Sequence, residues 1–270
     1  MAFFTSYDKD YENHEIFKQL HLFSNFYSNL SYSTMNHITA GVKNTFNIDS
    51  YIFSSIKGTI DSIREILSKG RINDAYALLR KYYDSTLINI YTTLYLKKNS
   101  NLENFIVDKI NNWVEGKEKI PRVGAMSKYI LNSPVTSDLT PLFYDNNEYK
   151  CSVFENIKER CNSHVHYNYF TYMLLNDNEL FIKNKVSILG KFSEDLMEIF
   201  ILHISYLFYI NDHYMMVNDY IDSIDLGLTP EPDSQYFVAP FIQEIYDMIL
   251  KPRRPDVAKL IKDNTGMQLE

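Results

Sequence analysis

Between positions 160 and 168 the chain places Arg160, Cys161, Asn162, Ser163, His164, His166, Tyr167 and Asn168, which bring together a guanidinium, a thiol, two imidazoles and two carboxamides. No other stretch concentrates as much reactive chemistry. A planar arginine fork can donate two parallel hydrogen bonds to phosphate oxygens. An imidazole, with an ordinary pKa of about 6.5, can take or give a proton near neutral pH. Those two groups are what cleavage of a phosphodiester by its own 2′-hydroxyl requires: a base that removes the hydroxyl proton, and a cation that stabilises charge on the phosphorane-like transition state.

The spacing leaves two histidines in contention. On a straight helix of about 100° per residue, His164 shares the face of Arg160, whereas His166 lies roughly 120° away. Around them, Lys158 and Lys150 add positive charge that Glu155 and Glu159 partly cancel. Asn162 and Asn168 can orient the histidines, read RNA or bond local backbone. Tyr167 and Tyr169 can stack on a base, although in a chain with 22 tyrosines packing is their ordinary role. Cys161 reads as a buried, inert thiol rather than a nucleophile. No spacing among His164, His166, His203 and His213 demands a metal. Asp212-His213 reads as a polar interruption or helix cap. Lys251, Arg253 and Arg254 form a second basic run, whose common role is a solvated surface. The chain contains no glycine-rich phosphate loop, no Gly-x-Ser-x-Gly elbow and no paired CxxC knuckles.

The elements that must position this stretch are helical. Residues 11–30 carry Ile16, Phe17, Leu20, Phe23, Phe26, Tyr27 and Leu30 at three- and four-residue steps. After a connector at 31–50, residues 51–69 place Ile52, Phe53, Ile56, Ile60, Ile63, Ile66 and Leu67 on one stripe that stops at Gly70. Residues 72–97 continue the pattern for about seven turns, so an antiparallel hairpin is predicted. A shorter helix capped by Ser100 or Asn101 should run through Phe105, Ile110 and Trp113. Another should open at Pro121, followed by a loop from Ser133-Pro134 to Pro141. Residues 149–175 carry the reactive stretch on a helical pattern, and 186–222 form the longest apolar one. Glu198, His203 and Asp212 interrupt it, which favours a buried bundle helix over a membrane span. A turn follows from Leu226-Gly227 to Pro232. A last helix at 236–250 should end before Pro252, with a fraying polar tail at 262–266. Period-two strand patterns are nearly absent.

With 270 residues, 45% of them hydrophobic and 15% aromatic, the chain can fill a sizeable core. A net charge of −7 excludes a generally basic nucleic-acid coat but not a local phosphate pocket. Only two cysteines, Cys151 and Cys161, occur, and the N-terminus lacks the basic and apolar segments of an export signal. A reducing cytoplasm is the expected compartment.

Arg160 followed by His166 resembles the R-x4-6-H motif of the HEPN (higher eukaryotes and prokaryotes nucleotide-binding) family, helical bundles rich in metal-independent ribonucleases. In that family the motif falls late in a bundle opened by a long helical hairpin, which is similar to 51–97 followed by 149–175. The polar residue often found directly after the motif arginine is Cys161 here, with Asn162 one place later. The resemblance implies an all-α fold with a HEPN-like bundle at 51–225, an N-terminal helical extension at 1–50 and a C-terminal helix and tail at 226–270. It implies Arg160 as phosphate clamp and His166 as catalytic base or acid, with His164, Asn162, Tyr167, Asn168 and Lys158 supporting them or binding RNA. It further implies 2′,3′-cyclic phosphate and 5′-hydroxyl products, no metal or other cofactor, a homodimer, and a toxin or antiviral role restrained by an antitoxin or other regulatory partner. The alternative is a non-catalytic HEPN-like bundle that binds RNA, nucleotide or protein.

Overall fold

The computed structural model describes residues 9–35, 37–43, 47–101, 105–144, 153–176, 185–216, 226–229 and 238–270. Lys150, Cys151, Leu102, residues 217–222 of the longest apolar pattern and Pro230 to Pro232 of the expected turn lie outside them. The protein is an all-α helical bundle. Its helices are α1 (Lys9–Glu12), α2 (Ile16–Thr34), α3 (Ile48–Ser68), α4 (Ile72–Asn99), α5 (Asp108–Val114), α6 (Val123–Leu131), α7 (Thr140–Phe143), α8 (Val153–Val165), α9 (Phe170–Leu174), α10 (Lys185–Ile210), α11 (Pro240–Ile245) and α12 (Pro255–Asn264). Among the described residues the extended pairing is limited to one isolated bridge, Met216 with Val238.

The predicted hairpin is present. Gly70 adopts φ +76°. Its N–H reaches the Leu67 carbonyl at 2.8 Å while the Arg71 N–H reaches Ile66 at 3.3 Å. These two bonds are the Schellman closure, which uses a left-handed residue to satisfy the last carbonyls of a helix. Asn89 Nδ2 on α4 donates to Asp49 Oδ1 on α3 at 2.8 Å, and residues 40 positions apart meet only if the two helices run antiparallel about Gly70. Gly70→Ala forces a Cβ into the left-handed region. It is expected to cost about 1–2 kcal/mol, read as a lower urea midpoint with an unchanged slope.

The chain divides into two compact units. The first comprises Met1–Tyr27, Ser54–Thr86 and Tyr144–Phe200. Its core uses the apolar stripes anticipated for α2, α3 and α4, with Leu20, Phe23, Ile56, Ile60, Ile63 and Leu79 fully buried. Phe200 of α10 stacks on Phe23 at 3.7 Å between ring centres. Tyr27 and Tyr82 share a hydrogen bond of 2.9 Å between their hydroxyls, and Tyr11 donates to the Leu67 carbonyl at 2.7 Å. The first turn of α4 is capped from elsewhere in the sequence. Ile72 N–H donates to the Leu175 carbonyl at 3.1 Å, Asp74 N–H donates to Asn176 Oδ1 at 3.1 Å, and Asn176 Nδ2 returns a bond to Asp74 Oδ1 at 2.7 Å. The four orphan amides of a helix start need such partners.

The second unit comprises Ser28–Phe53, Leu87–Phe143 and Ile201–Glu270. Here α3 starts at Ile48 rather than 51, because Asn47 Oδ1 caps the Asp49 N–H at 2.8 Å and Thr39 Oγ1 accepts from the Ile48 N–H at 2.7 Å. A buried polar chain follows: Asp49 also accepts from the Tyr214 hydroxyl at 3.1 Å, and Asn89 Oδ1 pairs with His203 Nε2 at 2.9 Å.

Four expectations change in this unit. Among the described residues the helix expected after Ser100 begins at Asp108, and Phe105 to Val107 lie outside it, because the Val107 N–H is taken by the Gly41 carbonyl at 2.7 Å. The loop from Pro134 to Pro141 instead contains a 3-10 turn at Pro134–Thr136 and the short α7, each with proline at a first-turn position where a missing N–H is harmless. Pro252 does not end the last helix. The backbone widens into a π-helical segment, Tyr246–Leu250, and continues through Lys251–Arg253, since proline offers no N–H to the carbonyl four residues earlier. The polar tail is helical as far as Asn264: α12 buries Val257, Ala258 and Ile261, and Met267 and Leu269 beyond it are also buried.

Candidate functional site

The reactive stretch lies in the first unit, and α8 ends inside it. Phe154, Ile157, Cys161 and His164 recur at three- and four-residue steps and are buried, so His164 occupies the core stripe of α8. The helix then stops at Val165. Tyr167 N–H bonds the His164 carbonyl at 3.2 Å and Asn168 N–H bonds Ser163 at 3.0 Å, the same closure as at Gly70. The left-handed position here is held by Tyr167, at φ +48°. A tyrosine pays roughly 1–2 kcal/mol for that conformation. His166 therefore sits in an exposed turn and not on the helix assumed for the whole stretch.

Arg160 is held in a bidentate ion pair. Its Nε lies 2.7 Å from Asp195 Oδ2 and its Nη2 lies 2.8 Å from Oδ1. Asp195 comes from α10 and its side chain is 2% exposed, whereas Arg160 keeps 29% of its side chain accessible. The fork engages two N–H groups and leaves three of the guanidinium's five for another acceptor. Hydrogen bonding to Asp195 pushes the Arg160 pKa further up, so the charge is permanent. Other cations nearby are also matched: Lys191 with Glu194 and Asp195, Lys158 with Glu155, and Arg80 of α4 with Asp84. Arg80 Nη1 additionally reaches Asn162 Oδ1 at 3.5 Å. The region is thus close to charge-balanced rather than broadly positive.

His164 is 3% exposed. Its ring lies between Tyr76, 3.8 Å away and 13° from parallel, and Tyr172, 3.9 Å away and 18° from parallel. Nδ1 faces Asn73 Oδ1 at 2.8 Å. An amide oxygen only accepts, so Nδ1 carries the proton and Nε2 the lone pair. Burial, aided by the Arg160 charge, pushes the His164 pKa down to about 4. Burial likewise pushes the Cys161 thiol up to about 12, so it stays protonated at neutral pH.

No protein-family model, curated protein or solved structure matches this chain. The residues themselves carry the functional reading.

The remaining side chains divide clearly. Asn168 Nδ2 donates to Ser163 Oγ at 3.2 Å, a local helix-end bond. Tyr167 Oη accepts from Asn176 Nδ2 at 3.4 Å, while Tyr169 is 63% exposed. His203 is buried in the second unit, where burial pushes its pKa down to about 3. In the basic run, Arg254 pairs with Asp256 at 2.8 Å and donates to the Leu142 carbonyl at 2.8 Å, and Lys251 pairs with Asp247 at 3.4 Å. Sequence reasoning missed Asp195, Asn73, Tyr76 and Tyr172. For Asp195 a signal existed: it directly precedes Leu196 in the stripe Leu189, Phe192, Leu196, Ile199, and an acid so placed needs a cationic partner.

Proposed function

We propose that the chain is a metal-independent endoribonuclease of HEPN type that cleaves RNA through attack of the 2′-hydroxyl. The observation that carries the reading is the fork between Arg160 and Asp195. It fixes a permanently charged guanidinium yet leaves donors over for a phosphate. Asp195 acts as a positioning residue in this scheme. His166 is the base or acid, supported by its exposure in the turn after α8. His164, covered on both ring faces, orients the helix end. A homodimer, a restraining partner and a toxin or antiviral role belong to the same proposal.

Purified protein is expected to cut single-stranded RNA in EDTA, leaving 2′,3′-cyclic phosphate and 5′-hydroxyl ends. His166→Ala should slow cleavage about 10²–10⁴-fold without moving the unfolding midpoint, because the side chain is exposed. RNA left intact by the wild type, or cut equally by His166→Ala and Arg160→Lys, would overturn the proposal. Loss confined to His164→Phe, which keeps a ring between Tyr76 and Tyr172, would transfer the proton-transfer role to His164.

A second reading has its own support. The matched charges around Arg160 and the stacked, buried His164 also suit a purely structural network, and the protein would then be a non-catalytic bundle that binds RNA, nucleotide or another protein.

A further inference from the structure

The second unit contains a groove of about 460 Å³ lined by Leu94 and Lys98 of α4, Ala125, Lys128 and Tyr129 of α6, and the following segment from Asn132 to Val135. Its size falls within the roughly 300–1,000 Å³ of small-molecule sites. One wall is a braced aromatic ring. Tyr129 meets Tyr91 edge-on at 5.2 Å and Tyr95 at 5.7 Å, and Tyr91 is itself only 2% exposed. The ring therefore presents a fixed face rather than a swinging side chain. Pro134 and Val135 add apolar surface over the buried Leu94, and Val135 is 44% exposed.

The charges are one-sided. Lys98 holds its Nζ 5.9 Å over the Tyr129 ring. Neither Lys98 nor Lys128 has an ion pair among the described residues, and no Asp or Glu lines the groove. Three other lysines are matched by acids three or four positions away: Lys57 with Asp61, Lys69 with Glu65, and Lys191 with Glu194. An inorganic anion would make no use of the apolar floor. A cation would be repelled, and a neutral ring would leave both ammonium groups unanswered.

We propose that this groove binds a planar aromatic anion, with the ring against Tyr129, Pro134 and Val135 and the negative group between Lys98 and Lys128. The inference is independent of the ribonuclease reading, because it uses no residue of the first unit. Cation-over-ring contact and charge-assisted hydrogen bonding would both strengthen as the ligand displaces water.

The test is calorimetric titration of the full chain with 2-naphthoate, its neutral counterpart 2-naphthylmethanol and adenosine 5′-monophosphate. The anion is expected to bind at least ten-fold more tightly than the alcohol. Lys98→Gln with Lys128→Gln should remove that preference, and Tyr129→Ala should weaken both ligands. These are surface or half-buried positions, and circular dichroism would confirm the fold. Competition between naphthoate and the nucleotide would support one shared site, with the tighter of the two identifying carboxylate or phosphate as the preferred charge. Equal affinity for anion and alcohol, or binding untouched by the double lysine variant, would overturn the proposal, as would no binding of either anion to folded protein.

Discussion

Asp195→Ala is expected to destabilise the protein by about 2–4 kcal/mol, a fall in Tm of roughly 5–15 °C for a chain of this size. The cost arises because the substitution removes both acceptors of the Arg160 fork, leaving a guanidinium that keeps only 29% of its side chain in water. Arg160→Ala should also destabilise, since it leaves a carboxylate that is 2% exposed with only the longer Lys191 contact at 3.6 Å. Replacing both, as Arg160→Met with Asp195→Leu, should recover most of the loss, because paired apolar side chains avoid the desolvation that each single variant leaves uncompensated. Denaturant unfolding of the wild type, the two single alanine variants and the double alanine variant forms a double-mutant cycle that reads the coupling. Strictly additive losses would show that the fork contributes no coupling. The cycle also bears on the functional test. Arg160→Ala mixes loss of the phosphate clamp with loss of stability, which is why His166→Ala and Arg160→Lys are the informative variants for cleavage.

The second large effect is on pH dependence. His164 titrates at about 4 in the folded protein against about 6.5 in an unfolded chain. Between those values the unfolded state binds the extra proton, so stability falls as pH drops from about 6.5 towards 4, by up to about 3 kcal/mol. His203, lowered to about 3 by burial, acts in the same direction. Asp49, raised to about 6 by burial, acts in the opposite one, favouring the folded state as pH falls through 6. Comparison with His164→Phe isolates the His164 contribution. That variant keeps an aromatic ring between Tyr76 and Tyr172 but cannot titrate, so thermal unfolding from pH 7.5 to 4.5 should show a shallower decline than in the wild type. Parallel curves would show that His164 is not held neutral.

The long helices were legible because burial repeats locally. Ile56, Ile60, Ile63 and Leu67 mark the face of α3, and Gly70 marks its end without reference to anything distant. The middle of the chain was less legible because its boundaries are set at long range. Nothing near Asp108 announces that the Gly41 carbonyl takes the Val107 N–H and delays α5. Pro252 carries a local stop signal, but the backbone widens into a π-helical segment ahead of it and carries on. In the tail, Val257 and Ile261 gave a helical signal that the surrounding polar residues obscured. The reactive stretch is legible from its residue types and their spacing. Its internal logic is not, because Phe154, Ile157 and Cys161 put His164 on the core stripe, whereas the spacing to Arg160 considers only one pair. The partner of Arg160 is 35 residues away on α10.

The cap on the first turn of α4 has a consequence for dynamics. The amides of Ile72 and Asp74 are shielded from solvent by Leu175 and Asn176, which follow directly on α9 and its flanking tyrosines. Those amides exchange with deuterated water only when the cap lifts. Two backbone protons on α4 thus count the openings of a segment a hundred residues downstream, next to the turn that carries His166.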